Sequence, residues 1–138
     1  MPRKPTWEDA DLLLRIDELA ARPETRAALD WFRKHHLGLT SPRSVEFPRD
    51  SPEYEYVQRF IELFETLGTL VKCGVLNEEL VHERWMSDAP WEFLSATIER
   101  ERSLLGPDYA ANFEWLAMRS KARSARRHHS SQRVSRVP

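Results

Sequence analysis

Apolar residues recur at spacings of three and four through Val57, Phe60, Ile61, Phe64, Leu67, Gly68 and Val71, and this pattern limits the fold more than any other. A period near 3.6 residues puts all of them on one side of an α-helix, an arrangement no strand can use. Leu63 and Leu70 widen the stripe, as expected for a central helix with neighbours on two sides. Gly68 lies inside the stripe, where a missing side chain lets another backbone come close. Lys72 suits the negative end of this helix, and Gly74 can take the left-handed position just beyond it. Asn77 then caps a following helix that has Glu78 and Glu79 in its first turn. The whole stretch, FIELFETLGTLVKCGVLNEELV, therefore reads as helix, tight turn, helix. Glu62, Glu65 and Lys72 interrupt it, so it cannot supply the roughly 20 apolar residues of a membrane span.

The flanking segments read the same way. Thr6 caps a first helix whose face is Leu12, Leu13, Ile16, Leu19 and Ala20. Pro23 opens a second, which buries Ala28, Trp31 and Phe32 and runs to about Leu37. Residues 38–52 carry Pro42, Pro48 and Pro52 and no helical period, so a long loop is expected, with an extended piece at Val45–Phe47. Asp50 or Ser51 should cap the third helix and Asp88 the fifth, whose face is Trp91, Leu94, Ile98 and Leu105. Gly106 and Pro107 break the chain before a sixth helix with Tyr109, Ala110, Phe113, Leu116 and Ala117. The expected fold is all-α, a compact bundle of five to six helices with a basic C-terminal tail. The bundle domain is placed at 1–118 and a basic, partly disordered tail at 119–138.

Charge separates these two regions. Of 21 Lys and Arg, seven lie in the tail (Arg119, Lys121, Arg123, Arg126, Arg127, Arg133 and Arg136), and none of the 22 acids does. The overall charge of −1 thus conceals a body of −8 and a tail of +7. Such a run can neutralise phosphates, so these residues are the candidate polyanion-binding set. The plainer reading is a helix-ending, solubilising tail that docks on the acidic body or on an acidic partner. Aromatic residues are absent from it, so base stacking is not offered. Arg123 and His128 form an Arg-x4-His pattern similar to that of HEPN-type ribonucleases.

Signs of catalysis are sparse. HExxH, P-loop, GxGxxG and GxSxG patterns are all absent. Glu79 and His82 have the Glu-x-x-His spacing of di-iron bundles, but no second copy exists, and adjacent His35 and His36 diverge on a helix. No catalytic, cofactor-binding or metal residue is assigned, and no cofactor is expected. Cys73 is the single cysteine, at a helix C-terminus that disfavours thiolate, and is read as a buried or semi-buried structural residue. With no disulfide possible and no apolar signal run in MPRKPTWEDADLLL, the expected location is cytoplasmic, without a membrane span. A DNA-reading helix–turn–helix over Thr66–Trp85 is disfavoured, because Glu78, Glu79 and Glu83 would face the phosphates. Glu65 and Glu114 each follow a Phe at the edge of an apolar stripe, where a carboxylate needs a partner. Arg100 and Arg102 are the expected partners in structural ion pairs.

Phe64, Glu65, Gly68, Gly74, Glu78, Arg102, Phe113, Glu114 and Leu116 together resemble the motif of a bacterial helical family, domain of unknown function 4760. The likeness covers roughly residues 25–120. It implies a helical bundle and a bacterial source, and brings no activity. The functional expectation is a non-enzymatic cytoplasmic interaction or regulatory module, with a protein partner or a second copy of itself. The alternative is nucleic-acid binding through the tail, with or without HEPN-like ribonuclease activity.

Overall fold

Helix starts and stops written into the chain account for the six helices of the computed structural model, which describes residues 3–37 and 44–135. They are α1 (Trp7–Ala20), α2 (Pro23–Leu37), α3 (Tyr54–Lys72), α4 (Glu78–Arg84), α5 (Asp88–Leu105) and α6 (Ala111–Val134). No strand occurs among the described residues.

The apolar stripe of α3 is buried at every predicted position, from Val57 to Val71. It packs against α2, α4 and α6. Rings extend the contact: Phe64 stacks on Phe113 of α6 at 5.0 Å, and Phe32 of α2 meets Phe60 at 5.0 Å. Gly74 takes φ +75° after α3, as its place beyond the helix end requires.

Asp9 fixes the start of the chain to α4. It completes the capping box with Thr6, accepting from the Thr6 N–H at 2.7 Å. Its other oxygen accepts from the Asn77 N–H at 2.8 Å, and Asn77 Oδ1 caps α4 by accepting from the Leu80 N–H at 3.0 Å. The Arg3 guanidinium closes on Asp9 at 2.5–2.6 Å and holds this buried carboxyl well below the usual range.

Several expected features differ, among them Leu19, which is 44% exposed rather than on a buried face of α1. Neither Asp50 nor Ser51 caps α3: Ser51 Oγ donates to the Pro48 carbonyl at 2.6 Å, closing a turn before Tyr54. Asp88 is the first residue of α5, following Ser87, and its carboxylate accepts from Ser120 Oγ at 3.3 Å. Leu105 is exposed at 58%, because the buried stripe of α5 continues through Glu101 and then leaves the core.

Glu101 organises the segment leading into α3. It is fully buried and held by Arg49 at 2.6 and 3.0 Å and by Arg100 at 3.2 Å. Arg100 also donates to the Phe47 carbonyl at 2.6 Å. The Phe47 N–H donates to Thr97 Oγ1 at 2.9 Å, and that hydroxyl donates to the Val45 carbonyl at 3.1 Å. The extended piece at Val45–Phe47 therefore lies along α5, while Pro42 is outside the described residues.

Glu65 departs from the ion pair expected of it. Its carboxylate accepts from the N–H groups of Phe113 (2.8 Å) and Asn112 (3.4 Å), in the first turn of α6. A helix N-terminus has unbonded N–H donors and a positive dipole end, and Ala110 at the cap position has no side chain to serve them. Glu65 supplies that cap from another helix. Arg100, engaged with Glu101, meets neither Glu65 nor Glu114 in an ion pair. Arg102 does reach Glu114, at 2.7 Å, and donates to the Tyr109 carbonyl at 2.9 Å. One turn from Glu65, a Cβ on Gly68 would stand 2.2 Å from the Asn112 carbonyl oxygen.

Two outcomes follow from these contacts. Gly68→Val should destabilise the fold by roughly 2–3 kcal/mol, seen as a lower urea midpoint, because backbone must move to admit the side chain. Glu101 is drawn from the ordinary 4.5 to about 2, chiefly by Arg49, so its contribution is complete above pH 4.5 and fades as pH falls towards 2. Glu101→Gln should cost roughly 2 kcal/mol at neutral pH. The gap between variant and parent, followed by urea melts at a series of pH values, should close over that acid window.

Candidate polyanion-binding arm

The Glu65 cap and the Gly68 contact fix where α6 starts, and Phe113, Leu116, Ala117 and Ser120 bury its first turns. The expected boundary at 118 falls inside this helix, which continues to Val134. Ala, Arg, Lys and Gln in its distal half are good helix formers, so the turns propagate.

Arg119, Arg123 and Arg127 lie four residues apart, within an arc of about 80° on α6. That arc faces the carboxylates of α4. Arg119 forks onto Glu78 at 2.5 and 2.8 Å. Arg123 meets Glu79 at 2.6 and 2.9 Å and also Glu83, and Arg127 closes on Glu83. Both rows advance in the same direction, with Arg123 shared between Glu79 and Glu83 and Glu83 shared between Arg123 and Arg127. Arg119 holds Glu78 below its ordinary pKa, Arg123 holds Glu79 down, and Arg127 holds Glu83 down. Arg123 is packed rather than solvated, with its side chain 13% exposed, and Arg119 also lies 5.1 Å over the Trp115 ring.

The remaining candidates divide in two. Lys121 reaches Glu92 of α5 at 3.5 Å. Arg126 and Arg133 are exposed, and among the described residues their guanidinium groups have no ion-pair partner. They sit about 20° and 40° beyond Arg119, on the side away from Arg127. Arg136 lies outside the described residues. The paired stretch ends because α4 has only seven residues, so α6 continues past it with every residue from Ser124 to Ser135 exposed.

Other sequence candidates do not converge. Arg123 turns into the carboxylates of α4, while His128 lies about 140° round the helix, so the Arg-x4-His pair does not face one point. Glu79 goes to Arg123, and His82 Nε2 goes to Glu78 at 3.2 Å. Among the described residues no group of three or more His, Cys, Asp and Glu is placed to hold a metal ion. His35 Nδ1 lies 3.0 Å from the Trp31 carbonyl oxygen. Cys73, expected to be buried or semi-buried, is exposed: as the C-cap of α3 it is turned off the apolar stripe that ends at Val71. No helix among the described residues is long and apolar enough to cross a membrane.

Glu78, Glu79 and Glu83 read in the sequence as dipole-favouring, phosphate-repelling residues of a short helix. The available signal for their pairing was the shared four-residue step, 79 to 83 against 119, 123 and 127. Which helices face each other was not in that step.

A model of the domain of unknown function DUF4760 matches residues 5–120. The chain belongs to that family. The residues that carry the sequence resemblance mostly serve the docking of α6: Phe64 and Phe113 stack, Glu65 caps, Gly68 admits the backbone, and Arg102 binds Glu114. The basic row past residue 120 lies beyond the DUF4760 match. No curated protein and no solved structure matches the chain.

The paired row makes its own prediction. Arg123→Ala should lower stability by about 1 kcal/mol at low salt, and the loss should shrink in roughly 1 M NaCl. Urea melts at the two salt concentrations measure it.

Proposed function

We propose that this protein is a non-enzymatic helical interaction module of the cytoplasm, and that the basic arm of α6 is its working element. What supports the reading is the arm's placement. The bundle anchors one end of α6, while the other end carries Arg126, Arg133, His128 and His129 into solvent. An exposed helix of this length gains little from propensity alone, so a ligand on its charged face would stabilise it. The body carries a net charge of −8, which leaves the arm as the place where an acidic partner can approach. Trp7 and Leu14, 90% and 62% exposed and one heptad apart on α1, provide a second face for a protein partner or a second copy. Among the described residues Arg123 and His128 do not face one point, and the ribonuclease alternative is not favoured.

Heparin chromatography tests the arm. The full-length protein should be retained at about 50 mM NaCl and released by moderate salt, while Arg126→Ser/Arg133→Ser should elute clearly earlier. If the full-length protein passes through unretained, the arm is not a polyanion-binding element.

A further inference from the structure

We infer that the arm's partner is a nucleic-acid duplex, and that the acidic face of α4 is a built-in competitor for it, holding Arg123 and Arg127 until phosphates displace Glu79 and Glu83. This rests on the reading of α6 as the working element.

The partner class follows from what the arm has and lacks. Arg119, Arg123, Arg126, Arg127 and Arg133 fall within an arc of about 120° and span about 21 Å of helix. After Met118 the one large exposed apolar side chain on the described helix α6 is Val134. A helix that lies on a lipid surface buries an apolar face, and this one has none. A protein partner needs buried apolar or aromatic anchors for most of its affinity, and the arm offers none of those either. Without aromatics it cannot stack unpaired bases, so a single strand gains nothing over a duplex. A rod of guanidinium groups, interspersed with the hydroxyls of Ser124, Ser130 and Ser131, has the chemistry that contacts duplex phosphates.

The competitor follows from the ion pairs. Guanidinium binds carboxylate and phosphate in the same forked geometry, so Glu79 and Glu83 occupy positions that phosphate oxygens would take. Their side chains are 54% and 52% exposed. The Arg127–Glu83 pair is exposed on both sides, and pairs of that kind are individually weak, so a dense polyanion can displace it first; Arg123 is more closely packed and is reached through its exposed carboxylates. Arg126 and Arg133, without ion-pair partners among the described residues, provide the first contact. Recruitment of Arg127 and then Arg123 extends it along the same face.

Fluorescence anisotropy with mixed-sequence DNA and RNA duplexes of about 20 base pairs, across a NaCl series, tests this. Parent protein, Glu79→Gln/Glu83→Gln and Glu83→Gln alone are compared, with circular dichroism to confirm that each is folded. Freeing two arginines should tighten duplex binding roughly tenfold at low salt and steepen the log–log salt slope by about 2. Glu83→Gln alone should fall between, and adding Arg126→Ser/Arg133→Ser to the double variant should reverse the gain. Equal affinity and slope in parent and double variant would overturn the competitor. Tightening towards phosphatidylglycerol vesicles but not duplexes overturns the choice of partner. If no variant binds duplexes while the parent is still retained on heparin, this inference fails and the arm reading stands. Loss of heparin retention as well removes both.

Discussion

The contact between α3 and the start of α6 determines the position of everything that follows it. At Gly68 the two backbones come so close that no β-carbon fits, and Glu65 satisfies the open N–H groups of α6 from one turn away. Packing alone leaves a helix free to slide by a residue or rotate. A carboxylate bound to two specific amides removes that freedom, because a shift of one residue breaks both bonds. With register fixed there, Arg119, Arg123 and Arg127 fall opposite Glu78, Glu79 and Glu83.

The chain therefore combines two kinds of interaction with different strengths. The clamp is the more sheltered: Phe113 is fully buried and the Glu65 carboxylate is bound to backbone amides, so salt screens it less. The pairing of α4 with α6 is largely wet, and depends on ionic strength and on competing anions. The family match ends at residue 120, near the point where α6 passes from the first regime to the second. A shared scaffold thus carries a basic extension beyond the matched region.

Much of the fold is legible in the sequence, and the failures have physical causes. The α3 stripe, the Thr6 and Asn77 caps and the Gly74 turn are local, set by residues within a few positions of each other. Capping at Ser51 and Asp88 was misread because a hydroxyl or carboxylate near a helix start can serve another acceptor or donor just as well. Glu101 was missed altogether. A glutamate three residues after Ile98 looks like the solvated edge of a stripe until Arg49, fifty-two positions away, makes its burial tolerable.

From the sequence alone came helix content, the central place of α3, and the separation of an acidic body from a basic run, since periodicity and charge count are properties of neighbours along the chain. The tertiary structure decided which charges meet. Glu65 went to backbone amides rather than to Arg100 or Arg102, and the basic row was divided into a paired part and a free part. The length of α4 sets that division, because carboxylates can reach α6 only as far as the shorter helix extends. No local pattern records where the carboxylates of one helix stop facing the guanidinium groups of another.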